Sequence, residues 1–218
     1  KVHILGVLRN IQGPRRDLIL ARLEGAGLAE SGVAQGMSGS PVYIDGKLVG
    51  AVSYSIGSFS KEPIAGITPI AEMKDATAMP RRVGTQARLE LPITREGLSA
   101  ALSAVSGRLA PFARRPADVQ SIGIAPAAGG QLASMLRPIA TPLILGGFEP
   151  ETIDLISGAF RDAGFMPMAA GTAPGTQTPV TYGPLREGDA IGVALASGDI
   201  DMGATGTVTH IDGDRVYA

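Results

Sequence analysis

No part of the chain constrains the fold more than residues 36–55, GMSGSPVYIDGKLVGAVSYS. Within it, Asp45 and Gly46 separate two runs of β-forming residues. An Asp-Gly pair in that setting signals a two-residue hairpin turn, whose central positions take positive φ. The sequence therefore predicts a strand at 41–44, a tight turn, and a second strand at 48–55.

The first six residues of this segment, GMSGSP, predict a reactive loop. Glycines on both sides of Ser38 give the backbone conformations that other residues avoid, so successive amide N–H groups can point to one place. In a chymotrypsin-like arrangement Ser38 is the nucleophile, and the amides of Gly36 and Ser38 form the oxyanion hole. A plain Gly/Ser turn before a hairpin is the alternative interpretation.

Composition excludes several classes of function. A chain of 218 residues with 44% hydrophobic content can bury a core, and a net charge of -1 provides no basic field for nucleic acid. Cysteine is absent, which excludes disulfides, thiolate catalysis and cysteine-based zinc sites. No apolar run approaches the ~20 residues of a membrane span. We expect a globular protein with no nucleic-acid partner and no membrane span.

Hydrophobic patterning predicts further strands in the first third of the chain. VHILGVL at 2–8 and DLILARL at 17–23 are strand candidates that can pair across a turn at 12–14. AGITPIAEM predicts another strand that runs into a short helix at 70–77. The rhythm changes at MPRR, residues 79–82, where we expect a boundary.

The centre of the chain has an α/β character. TPLILGGF predicts a buried strand, and ETIDLISGAFRDAGF predicts a helix whose Ile153, Ile156 and Phe160 share one face, with Gly164 available to end it. Residues 138–168 therefore suggest a strand and helix unit, while 96–106 fits either a helix or a linker. The last 34 residues return to short strands separated by polar turns.

Two segments resemble a known family. QGMSGSPVYIDGKLVGAV is similar to the nucleophile region of the sporulation stage IV B (SpoIVB) peptidases, which belong to the chymotrypsin-like clan. GTVTHIDGDRVYA, at 206–218, resembles the family segment that leads into its Gly-His catalytic histidine. The resemblance implies a mainly β fold with a chymotrypsin-like β-barrel core. In it, residues 1–78 form the barrel half with the nucleophile loop, 79–184 an α/β insertion, and 185–218 a β segment that returns to the core and is truncated.

The resemblance also implies an activity, a location and partners. It indicates a serine endopeptidase or a piece of one, exported to the periplasm, cell envelope or extracellular space, with peptide or protein substrates. The two segments stand in the reverse of the family order, and Ala218 precedes the position of the family histidine. We therefore expect the general base on polypeptide outside these residues, which makes the remainder of the polypeptide a further partner.

Three residues within the chain are substitute candidates for the rest of a triad. His210 lies in the last predicted hairpin, which can fold beside the nucleophile loop and offer a base. His3 lies in the first strand, and Glu24 falls near the acidic position of the family when one gap is allowed. The ordinary alternatives are strand histidines satisfied by neighbours and a solvated loop carboxylate.

A second hypothesis comes from another class of protein. The chain is then a non-catalytic module of a cell-envelope or extracellular assembly, which holds a partner strand where the peptidase holds its substrate, along the strand at 48–55.

Asp-Gly hairpins account for the acidic residues near the C-terminus, and no phosphate-loop pattern follows a strand. We expect neither a metal nor a cofactor.

Overall fold

The computed structural model describes residues 1–11, 16–25, 27–56, 62–78, 120–162, 164–171 and 183–218. These residues form a mainly β protein with open sheets of seven, four and two strands. The mainly β class is thus confirmed, whereas the chymotrypsin-like barrel is not. No helix in these ranges is long and apolar enough to cross a membrane.

The first sheet is antiparallel and contains the predicted hairpin. Its order is β3-β4-β5-β2-β1-β6, and β7 also pairs with β4. The two N-terminal strands pair directly, as predicted, with Val7 opposite Ile19. The strands are β1 (Val2–Arg9), β2 (Leu18–Leu23), β3 (Pro41–Ile44), β4 (Lys47–Ser55), β5 (Ile64–Pro69), β6 (Gln120–Ile122) and β7 (Arg137–Pro138).

The turn between β3 and β4 has the geometry that its sequence predicts. Asp45 and Gly46 have φ values of 49° and 74°, so both central positions are left-handed. This combination matches the right-handed twist of the two strands that it joins. The hairpin prediction is therefore confirmed, and the hairpin fixes where the preceding loop meets the sheet.

The second sheet has the order β10-β11-β8-β9. Its strands are β8 (Thr141–Gly146), β9 (Phe165–Ala169), β10 (Ala190–Ala196) and β11 (Asp201–Thr207). β8 and β9 are parallel, which requires a crossover connection. The helix at Pro150–Asp162 supplies this connection. The strand and helix unit predicted for 138–168 is confirmed.

This crossover helix buries the face that the sequence indicates. Ile156 is buried with Leu143 and Leu145 of β8, and Ile153 and Phe160 pack against them. Gly164 follows with φ 87°, the left-handed conformation that ends helices.

Four helices and a short ribbon complete the described structure. In chain order the helices are α1 (Leu28–Ser31), α2 (Ile70–Ala78), α3 (Pro126–Met135) and the crossover helix, α4. The ribbon, residues 207–218, contains the antiparallel pair of β12 (His210–Asp212) and β13 (Arg215–Tyr217).

The three predicted domains share sheets. β6 and β7, from the central segment, lie in the first sheet, and β11, from the last segment, pairs with β8. The division at 79 and 185 stays a prediction. The turn at 12–14, the boundary at 79–82 and the helix or linker at 96–106 lie outside the described residues.

Candidate active site

Residues 35–40, which we call the nucleophile loop after the role predicted for Ser38, begin with one turn of 3-10 helix at Gln35–Met37. Ser38 follows, half-buried, with its amide donating a long 3.4 Å hydrogen bond to the Gln35 carbonyl. A bond of that length is at the limit of a hydrogen bond and is weak. The amides of Gly36 and Ser38 stay a predicted oxyanion hole.

Two backbone hydrogen bonds fix this loop to the first sheet. The Gly39 amide donates to the Val52 carbonyl at 2.9 Å, and the Val52 amide donates to the Ser40 carbonyl at 3.0 Å. The loop therefore continues the edge of β4 that β3 occupies. Ser38 lies at this edge because Val52 of β4 bonds to Gly39 and Ser40, the two residues that follow it.

The C-terminal ribbon, residues 207–218, docks on the nucleophile loop. The buried Thr209 hydroxyl donates to the Gly39 carbonyl at 2.6 Å, and the Thr207 hydroxyl donates to the Gly36 carbonyl at 3.2 Å. A β-carbon on Gly39 would overlap the Thr207 carbonyl oxygen and lie 3.3 Å from the Ala218 carbonyl carbon. Only glycine permits so close an approach, which places residues 207–218 directly against the loop.

His210 belongs to a polar cluster at the base of this ribbon. Its Nδ1 lies 2.6 Å from Oε1 of Glu187, and its ring stacks on Tyr217 with centroids 6.1 Å apart. The Tyr43 hydroxyl donates to the other oxygen of Glu187. One carboxylate thus joins the ribbon to strand β3.

The hydrogen bonds of this cluster shift the pKa values of two of its groups. The hydrogen bond from Tyr43 lowers the pKa of the Glu187 carboxyl, and the hydrogen bond to His210 lowers it further. The contact with Glu187, followed by burial, raises the pKa of the Tyr43 hydroxyl to about 12. An ionised carboxylate only accepts hydrogen bonds, so Nδ1 of His210 donates to Glu187 and Nε2 lies outside this contact.

The predicted site residues are only partly brought together. Within the part of the chain that the structure describes, no hydrogen bond joins the Ser38 hydroxyl to either imidazole. Glu24 instead lies 3.0 Å from His3, with both side chains more than half exposed. Such surface pairs contribute about 0–1 kcal/mol. The roles of His210 and Glu24 stay predictions, and the structure pairs Glu24 with the other histidine.

Sequence reasoning missed four residues of this site: Tyr43, Glu187, Thr207 and Thr209. The sequence contained a signal that Thr207 and Thr209 contact the same neighbouring loop, because residues two apart in an extended segment project to the same side. Glu187 carried none, since it stands in a polar turn 23 residues from its histidine partner.

No group of three or more acidic or histidine side chains fit to hold a metal ion occurs among the described residues.

The comparisons with known proteins bear on the segment that carries the loop. Residues 1–73, a third of the chain, match the model of the SpoIVB peptidase S55 family. The resemblance to that family is confirmed for this segment, which contains the nucleophile loop and the hairpin. No curated protein and no solved structure matches the chain.

Proposed function

We propose that the chain is the nucleophile-bearing part of a SpoIVB-type serine endopeptidase. Ser38 attacks a peptide carbonyl, the amides of Gly36 and Ser38 stabilise the oxyanion, and a histidine beyond Ala218 acts as the base. The proposal includes a chymotrypsin-like barrel to which residues 1–78 and 185–218 contribute.

One observation carries the proposal: the ribbon and the nucleophile loop are in contact although they are far apart in sequence. Thr209 and Gly39, joined by a hydrogen bond, are separated by 170 positions. The resemblance implies that the catalytic histidine follows the ribbon, and the Ala218 carbonyl carbon lies beside Gly39. The end of the ribbon therefore lies next to the loop that carries Ser38.

Substrates and location follow the family. The matched family is one of peptidases, so the proposed substrates are peptides or proteins, and the remainder of the polypeptide is a partner that supplies the base. We place the protein outside the cytoplasm, in the periplasm, cell envelope or extracellular space, as the resemblance implies.

A serine-directed fluorophosphonate probe tests the proposal. The 218-residue chain and a longer polypeptide that continues past Ala218 are treated with the probe, and the labelled residue is identified by mass spectrometry. We expect the longer polypeptide to be labelled at Ser38. Without its base a triad loses on the order of 10⁶ in turnover, so we expect the 218-residue chain to react far more slowly.

The loop offers a matched control for this experiment. Ser38→Ala should abolish labelling, whereas Ser40→Ala, which removes the other hydroxyl of the same loop, should not. Equal labelling of the two polypeptides would overturn the proposal that the base lies outside the 218 residues. If the labelling were then lost in His210→Ala, His210 would be the base. No labelling of the longer polypeptide would overturn the peptidase proposal.

The non-catalytic module is the second candidate, and one observation favours it. Among the described residues, the Ser38 hydroxyl forms no hydrogen bond with the imidazole of His3 or of His210, which bond to Glu24 and Glu187 instead. A scaffold that holds a partner strand needs no pair of serine and histidine. This candidate expects binding of an extended peptide without any labelling of Ser38 in either polypeptide.

A further inference from the structure

One edge of β4 is occupied by three chain segments in succession. β5 pairs with the opposite edge along residues 50–55. On the edge of interest, β3 lies beside the start of β4, the nucleophile loop lies beside Val52, and residues 137–139 lie beside the end. Residues 137–139 therefore hold the first stretch of this edge beyond Ser38.

The contacts of this segment are those of an extended peptide. The Ile139 amide donates to the Ser53 carbonyl at 2.9 Å, and Arg137 lies opposite Ser55. Because the pairing is antiparallel, the segment runs toward the nucleophile loop. Ile139 is thus the residue of this segment that pairs closest to the loop along the edge.

Buried side chains hold the segment on both faces of the sheet. Ile139 is 8% exposed and belongs to the cluster that contains Val42 and Val52. Leu136 is 5% exposed and belongs to the cluster on the opposite face, with Leu20. Arg137 and Pro138, between them, are exposed.

We infer that residues 136–140, LRPIA, are a substrate-like strap that occupies the peptide-docking edge of β4 and must leave before an extended peptide can bind. The inference rests on the proposed function, because the position of Ser38 is what makes this edge a substrate edge. Pairing along a strand edge gives affinity through the backbone, and the pockets beneath alternate side chains give specificity.

The strap also indicates the chemistry of the peptide that replaces it. The side chain at the position of Ile139 enters an apolar cluster, so an aliphatic residue is required there. A basic residue at the position of Arg137 is not required, because this guanidinium donates to carbonyls of its own neighbours, Ser134 at 2.7 Å and Leu136 at 2.8 Å. Proline is accepted at the exposed position between them.

A reversible lock tests the inference, since the chain has no cysteine of its own. The double variant Ser55→Cys with Arg137→Cys joins two residues that lie opposite each other. Binding of a fluorescent peptide with the sequence of residues 134–140, SMLRPIA, is measured by anisotropy before and after reduction. We expect binding at least tenfold weaker in the oxidised form, and equal binding in both forms would overturn the strap.

A loosened strap gives the opposite result. Ile139→Ala removes the main apolar anchor, so we expect the same peptide to bind at least tenfold more tightly. Ile156→Ala is the matched control, because it truncates a similarly buried isoleucine, 5% exposed, of helix α4, which packs against the second sheet. Equal affinity in the two variants would contradict the inference, and the lock decides the question if Ile139→Ala does not fold.

The failure of this inference is distinguishable from the failure of the proposed function. Peptide binding that obeys the lock, without any labelling of Ser38, supports the docking edge and overturns the chemistry. Labelling of Ser38 with peptide binding that ignores the lock overturns the strap alone.

Discussion

The Thr209 hydroxyl donates a 2.6 Å hydrogen bond to the Gly39 carbonyl in a contact that is fully buried. Thr209 itself has no exposed surface, and Gly39 directly follows Ser38. A buried carbonyl that loses its only donor keeps its desolvation penalty without compensation. The threonine therefore stabilises the loop on which the proposed chemistry depends.

We predict that Thr209→Val lowers the free energy of unfolding by about 1–3 kcal/mol, because valine keeps the shape and removes the donor. Thr209→Ser keeps the donor and should lose less. Urea unfolding of the three proteins checks this. Thr207→Val, which removes the longer 3.2 Å bond to Gly36, is the milder comparison. A serine variant as unstable as the valine variant would show that packing, and not the hydrogen bond, is what matters.

Gly39 and Gly46 form a matched pair for the contact between loop and ribbon. Both have positive φ, 84° and 74°, but a β-carbon on Gly39 would overlap Thr207, whereas one on Gly46 meets nothing within 4 Å. We expect Gly46→Ala to cost about 1 kcal/mol for its backbone alone, and Gly39→Ala about 1–3 kcal/mol more. Thermal unfolding measures the difference. Equal losses would mean that the ribbon does not approach the loop so closely.

Interactions between residues close together in the sequence could be predicted from it, whereas interactions between residues far apart in the sequence could not. The hairpin at Asp45 and Gly46 and the apolar face of α4 depend on neighbours within a few positions, so local patterns predict both. The bond between Thr209 and Gly39 spans 170 positions, and no local pattern encodes it. Glu187 was missed for the same reason, since its partners Tyr43 and His210 lie in different strands.

Tyr43→Phe should alter the stability at both ends of the pH range. The depressed pKa of Glu187 means that its stabilisation is present at neutral pH and is lost as the pH falls through the folded-state value. The raised pKa of Tyr43, about 12 against 10.0, means that its stabilisation is lost as the pH rises toward 12. We expect Tyr43→Phe to weaken both dependences and to raise the pKa of the Glu187 carboxyl in an NMR titration.

Tyr54→Phe is the control for that experiment. The pKa of Tyr54 is also raised to about 12, but burial is the main cause and Glu187 is not among the others. This variant should alter the alkaline dependence alone and leave the pKa of Glu187 unchanged. A shift of the Glu187 pKa in Tyr54→Phe, or none in Tyr43→Phe, would contradict the assignment of Tyr43 as its main partner.

Glu72→Gln should stabilise the protein at neutral pH. Burial raises the pKa of Glu72, although the Asp17 amide donates to its Oε1 at 2.6 Å and opposes the shift. A carboxyl whose pKa is higher in the folded state binds protons more tightly there, so stability falls as the pH rises through the range above 4.5. Glutamine keeps the acceptor for Asp17 and removes the charge.

The advantage of Glu72→Gln should therefore be present at pH 7 and vanish in acid, as measured by urea unfolding across the pH range. Glu62→Gln provides a comparison of opposite sign, because Glu62 forms an exposed ion pair with Arg22 at 3.2 Å and its loss should cost at most about 1 kcal/mol. A Glu72→Gln variant less stable than the unaltered chain at pH 7 would mean that the hydrogen bond from the Asp17 amide and the attraction to Arg16, which both lower the pKa of Glu72, together outweigh burial. The charge of Glu72 at the start of α2 would then help to hold Arg16 and Asp17, which directly precede β2, and burial would not be the dominant effect.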